Sequence, residues 1–195
     1  MLRSLCGAAL VGALLSASAA NATILEFTAP LGLTGTQEFP SNGSSATGTG
    51  TASYDTDTLQ LDVDLTWSGL SAPAVAAHIH CCSGPGANSA IAVGFVGFPS
   101  TISGTYSHTF DLGDAASFGG TFLGSNGGTA NSARAALLAG LGGNLAYFNI
   151  HTTSLPAGEI RGDIAPVPEP SGLLLFGSGL LALVVFARRR FERRA

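Results

Sequence analysis

The stretch LQLDVDLTW, residues 59–67, alternates apolar and polar side chains without a break. Successive side chains of an extended chain point to opposite faces. The nonapeptide therefore sends Leu59, Leu61, Val63, Leu65 and Trp67 to one side and Gln60, Asp62, Asp64 and Thr66 to the other. One dry face and one wet face describe a half-buried antiparallel strand. Further strand candidates lie at residues 24–28, 46–54, 75–80, 91–96, 102–110, 145–152 and 159–164, separated by Gly, Pro, Asn and Ser clusters. Only NSARAALLAGLGG, residues 131–143, breaks the period of two, with an Asn start, an Ala/Leu interior and a terminal glycine pair. The expected fold is all-β, a sandwich or Greek-key barrel with one short helix on a long connection.

The two ends of the chain read as addresses rather than as fold. Residues 1–22 have the parts of a secretory signal peptide: Arg3, an apolar run at residues 10–15, and the small-residue stretch SASAANA. Cleavage after Ala22 or Ala20 removes Cys6 and leaves two cysteines, Cys81 and Cys82. At the other end, Pro168-Glu169-Pro170 precedes an apolar run at residues 171–187, long enough at about 1.5 Å per residue to cross a thin bilayer as a transmembrane helix. Arg188, Arg189, Arg190, Arg193 and Arg194 follow it. The positive-inside rule keeps that tail in the cytoplasm and puts everything before it outside.

The order of Pro-Glu-Pro motif, span and arginine cluster resembles the PEP-CTERM sorting signal of Gram-negative bacteria. The resemblance implies an exosortase-type transpeptidase as partner. It also implies anchoring in the inner membrane with the domain outside, followed by the cell surface or the extracellular space. The expected division is signal peptide 1–22, β domain 23–166 and sorting signal 167–195.

Between those ends, ten acids stand against two bases, Arg134 and Arg161, and the whole chain has no lysine. The formal net charge of −4 conceals this asymmetry, because five of eight bases sit in the tail. So acidic a domain excludes nucleic acid as a partner and does not adhere to anionic lipid. No phosphate loop, serine elbow or pair of catalytic acids appears, so a binding or structural role is expected rather than an enzyme.

Chemistry concentrates in AHIHCCSG, residues 77–84, which uses two of four histidines and both remaining cysteines. His78 and His80 share one face of a strand, roughly 6.5–7 Å apart at Cα, from which two imidazoles can converge on one ion. In LAYFNIHT, residues 145–152, Tyr147, Asn149 and His151 share a face, and in GEIRGDI, residues 158–164, Glu159, Arg161 and Asp163 do. Two readings stay open. His78, His80 and His151 could ligate zinc or copper, with Glu159 and Arg161 orienting them from behind; or the histidines hydrogen-bond to backbone and carboxylates and fix a strand end. His108 is expected between Tyr106 and Phe110 as a half-buried aromatic neighbour. For Cys81 and Cys82 three outcomes stay open: a vicinal disulfide, thiolate ligation beside the histidines, or free or inter-chain thiols.

The motifs AHIH (77–80), AYFNIHT (146–152) and PAGEIRGDI (156–164), with LTGTQEFPSNGSSATGTGTASYD (33–55), resemble the CHRD domain first described in chordin. That family implies an immunoglobulin-like β fold with limited similarity to Cu/Zn superoxide dismutases, and no settled biochemical function. Its members place Gly-Pro where this chain has Cys81-Cys82, and four histidines are too few for the two-metal site of those dismutases. The expected role is an exported binding or matrix module, with exopolysaccharide or other matrix components as partners. The alternative is a mononuclear metalloprotein open to redox chemistry.

Overall fold

The structure, a computed structural model, describes residues 23–168. The signal peptide, Glu169, Pro170, the span 171–187 and the arginine cluster lie outside the described residues. Nine strands form the fold: β1 (Ile24–Thr28), β2 (Leu33–Thr34), β3 (Thr47–Asp55), β4 (Gln60–Ser68), β5 (Ala74–Cys81), β6 (Ala90–Gly94), β7 (Gly104–Asp111), β8 (Ala146–Thr152) and β9 (Ile160–Pro166). They make one sheet in the order β6-β5-β8-β9-β1-β3-β4-β7, with β2 pairing β3 and β9. Every pairing is antiparallel.

β4 behaves as its alternation dictates. Leu61, Val63, Leu65 and Trp67 are buried, while Gln60, Asp62, Asp64 and Thr66 face water. Each buried side chain of this size stabilises the fold by about 1.5–3 kcal/mol. The sheet is continuous and curls until its halves face each other across this core. At Gly50 of β3 the approach is so close that a Cβ would overlap the Phe148 ring of β8 and Leu65 of β4. Phe95, just after β6, stacks on Tyr106 of β7 at 5.3 Å between ring centroids, which links the two end strands across a seam.

Two helices lie on the long connection between β7 and β8: α1 (Gly120–Ser125) and α2 (Ala130–Gly142). The sequence pattern anticipates α2 but starts it too late. Thr129 is its N-cap and forms a capping box with Ser132. Ala133, Leu137, Gly140 and Leu141 form its buried face. Gly140 rests directly on Cys81 and Cys82, where any Cβ would overlap the sulfurs. No helix among the described residues is long and apolar enough to cross a membrane.

Candidate metal centre

The register of β5 against β8 sets the site. Ala76 pairs with His151, His78 with Asn149 and His80 with Tyr147, while β9 places Arg161 opposite Asn149 and Asp163 opposite Tyr147. Directly paired residues share a face, so these polar side chains crowd the outer face of three neighbouring strands. The inner face carries Ala77, Ile79, Phe148, Ile150, Ile160 and Ile164, all buried in the core.

His78, His80 and His151 meet, each offering one nitrogen within 4.8 Å of the others. Nδ1 of His78 lies 3.2 Å from Nε2 of His151. Two nitrogens bound to one tetrahedral ion at about 2.0–2.1 Å are roughly 3.3 Å apart, so this pair already has ligand spacing. Backbone carbonyls set the tautomers of the other two rings. Nδ1 of His80 donates to Ser89 O at 2.9 Å, and Nδ1 of His151 donates to Pro156 O at 3.0 Å. Each proton is thereby held on Nδ1, so the His80 Nε2 lone pair is free, while the His151 Nε2 lone pair accepts from His78 Nδ1, whose proton an ion would displace. The His80 Nε2 is buried and has no hydrogen-bond partner among the described residues.

Electrostatics favour the neutral rings that a metal requires. Burial, followed by the proximity of His151 and His80, pushes His78 down to about 4. Burial also lowers His80, with repulsion from His151 and Arg161 adding to it, and lowers His151. Behind His80 the Tyr147 ring stacks at 4.9 Å and 6°, and the Arg161 guanidinium sits 3.5 Å over the far face of that tyrosine. Arg161 is fully buried, donates from Nε and Nη2 to Asp163 Oδ1 at 3.0 and 2.9 Å, and from Nη1 to Ala87 O at 2.8 Å. It thus backs the histidines through Tyr147.

Glu159 lies elsewhere. Its carboxylate accepts four hydrogen bonds, from Ser44 Oγ (2.8 Å), Ser71 N (2.7 Å), Ser71 Oγ (2.8 Å) and Thr152 Oγ1 (2.7 Å). It pins the loops after β2 and β4 to β8 and touches none of the three rings. Cys81 and Cys82 are bonded to each other through sulfur and stand apart from the histidine cluster. His108 is half-buried with its ring 4.6 Å from that of Phe110 and 5.9 Å from that of Tyr106. Pro168 is exposed at the end of the described chain.

Sequence reasoning missed Glu38. It is buried beside the site, where Asn149 Nδ2 donates to both its oxygens at 3.1 Å. Burial raises it from 4.5 to about 7, against the lowering effects of Asn149 and Arg161. The stability it contributes is full below the unfolded carboxyl value and is lost as pH rises through about 7. The melting temperature of the wild type should therefore fall relative to that of Glu38→Gln between about pH 5 and 7. Parallel slopes in wild type and variant, followed by circular dichroism, would refute it.

A family model for the CHRD domain matches residues 29–164, and one for the PEP-CTERM protein-sorting motif matches residues 166–190. No curated protein and no solved structure matches the chain.

Proposed function

Since the chain belongs to the CHRD-domain family and carries a PEP-CTERM sorting motif that implies export and membrane-anchored sorting, we propose that its exported domain holds a single zinc or copper ion on His78, His80 and His151. The observation that carries this reading is the buried, unpartnered Nε2 of His80. Leaving such a nitrogen unpaired costs about 1–3 kcal/mol, whereas a ligand bond would satisfy it. The donor set fits: three neutral imidazoles suit zinc or copper, and three protein ligands leave a coordination position open to solvent or ligand. Arg161 and Tyr147 hold His80 in place from behind.

Metal analysis of the purified full chain, grown with zinc and copper and kept from chelators, tests the reading. One ion per chain is expected. Cys81→Ser with Cys82→Ser should retain it, because the sulfurs do not join the histidine cluster. Protein that folds without stoichiometric metal would make the three rings a structural feature of the strand ends.

The binding or matrix role has its own support in the wet face of β3, β4 and β7. Cross-strand rows such as Thr49-Thr66-Thr105 and Thr51-Asp64-Ser107 present hydroxyls and carboxylates without a single lysine. Hydroxyl-rich matrix polymers such as exopolysaccharide are the partners such a face suits. For sorting, the exosortase-type machinery implied by the motif should remove the segment after Pro168-Glu169-Pro170, with transfer to the cell surface. Intact-mass measurement of released protein checks this, and a product that keeps Arg188 to Arg194 would contradict it.

A further inference from the structure

Cys81 and Cys82 are bonded through sulfur at the point where β5 ends. A disulfide stabilises a fold mainly by closing a loop of the unfolded chain, and its effect grows with the length of that loop. A bond between neighbours closes no such loop, so it does little as a staple. It holds a tightly packed position nevertheless. Cys81 is 2% exposed and pairs with Ala90 of β6 and Ala146 of β8, whereas Cys82 is exposed at the start of the following loop. α2 lies on both sulfurs. Only a residue without a Cβ fits at Gly140, and four residues earlier along α2 the Ala136 carbonyl oxygen stands 3.6 Å from Cys82 Sγ.

Packing this close ties the helix to the state of the bond. Bonded sulfurs sit well inside the van der Waals contact that two thiols require, so reduction makes the pair spread. Cys81 is enclosed by β6, β8 and α2, and Gly140 leaves no space above it. Spreading therefore turns Cys82 outward or lifts α2, and either one removes the surface on which Gly140 rests. We propose that Cys81 and Cys82 form a reducible site for an external dithiol and that α2 loosens when the pair is reduced. A thiolate of the reductant attacks Sγ of the exposed Cys82, the bond to Cys81 breaks, and the Cys81 sulfur leaves with the electron pair and takes a proton. The reductant's second thiolate then attacks its own sulfur in the mixed disulfide; Cys82 leaves and takes the second proton, and the reductant ends as a disulfide. Two electrons have then passed to the cysteine pair. The sulfurs do not join the histidine cluster, so this proposal is independent of the metal reading.

The test treats the folded full chain, in detergent, with dithiothreitol and traps thiols with iodoacetamide. Mass analysis of the peptide that holds Cys81 and Cys82 should find both labelled after reduction and neither labelled before it. Hydrogen exchange of the same samples should quicken roughly tenfold or more across α2, while β3 and β4 keep their protection. In Cys81→Ser with Cys82→Ser, exchange in α2 should no longer respond to dithiothreitol. Label that enters without reductant would mean that there is no bond to reduce. Label that enters only after denaturation would make the bond a closed structural feature. If both cysteines are labelled in the folded chain but α2 exchanges as before, or if the double variant responds as wild type does, the coupling to α2 is refuted.

Discussion

His80→Ala should lower zinc or copper affinity at least ~100-fold, more than any other single substitution on this face. The ring it removes is the best prepared of the three. Ser89 O fixes its proton on Nδ1, Tyr147 fixes its plane, and burial keeps its Nε2 from water. Two imidazoles would remain, which is too few to hold either ion in competition with water. His108→Ala, by contrast, should leave metal content unchanged. The pH profile has a definite sign. Burial and neighbouring rings hold His78 down to about 4 and lower the other two, so protons compete for the ligands only at unusually low pH. Retention of the ion through pH 5.5 is expected, as measured by dialysis and elemental analysis. Release with a midpoint near 6.5 would mean that the rings titrate as free imidazoles.

Glu159→Ala should be the most destabilising substitution, by about 3–4 kcal/mol, or roughly 10 °C in melting temperature. Removal of this buried carboxylate strands the Ser71 amide and the hydroxyls of Ser44, Ser71 and Thr152. Burial alone would raise its pKa, yet the hydrogen bonds from Thr152, Ser71 and Ser44 outweigh it and hold the group below the ordinary carboxylate value. A lowered pKa contributes stability that is present above the unfolded value and lost as pH falls through the folded one. The penalty of Glu159→Ala should thus be greatest near neutral pH and shrink in acid. Thermal unfolding at pH 7 and pH 3 measures both; a variant as stable as wild type at pH 7 would show that the four bonds add nothing.

The parity of side chains was readable because it is local. LQLDVDLTW names its own dry face, and the same rule puts His78 with His80, and Tyr147 with Asn149 and His151. Parity cannot choose between equivalent neighbours. Glu159 and Asp163 both lie two residues from Arg161, and the choice of Asp163 follows from loops that draw Glu159 toward Ser44 and Ser71. Glu38 comes from the aperiodic stretch TQEFPSN and reaches Asn149 across 111 positions, a separation no local pattern encodes. Helix α1 has two glycines in six residues and weak intrinsic propensity; it forms around the buried Phe122. How far the sheet curls is a property of all nine strands together.

The pairing of the first and last strands has a consequence for orientation. β1 and β9 run antiparallel, and the Val167 amide donates to Glu26 O at 2.8 Å, so the chain enters and leaves the domain at the same end of the sheet. Along β9 that end lies beyond Ile164, which pairs with Ala146, whereas His151 stands past the opposite end, next to Ile150 and its partner Ile160. At about 3.3 Å per strand residue, the histidines lie roughly 10–20 Å further along the strands than Pro166. In a domain anchored through its C-terminal segment, as the sorting motif implies, the three histidines would stand at the end of the sheet away from that segment.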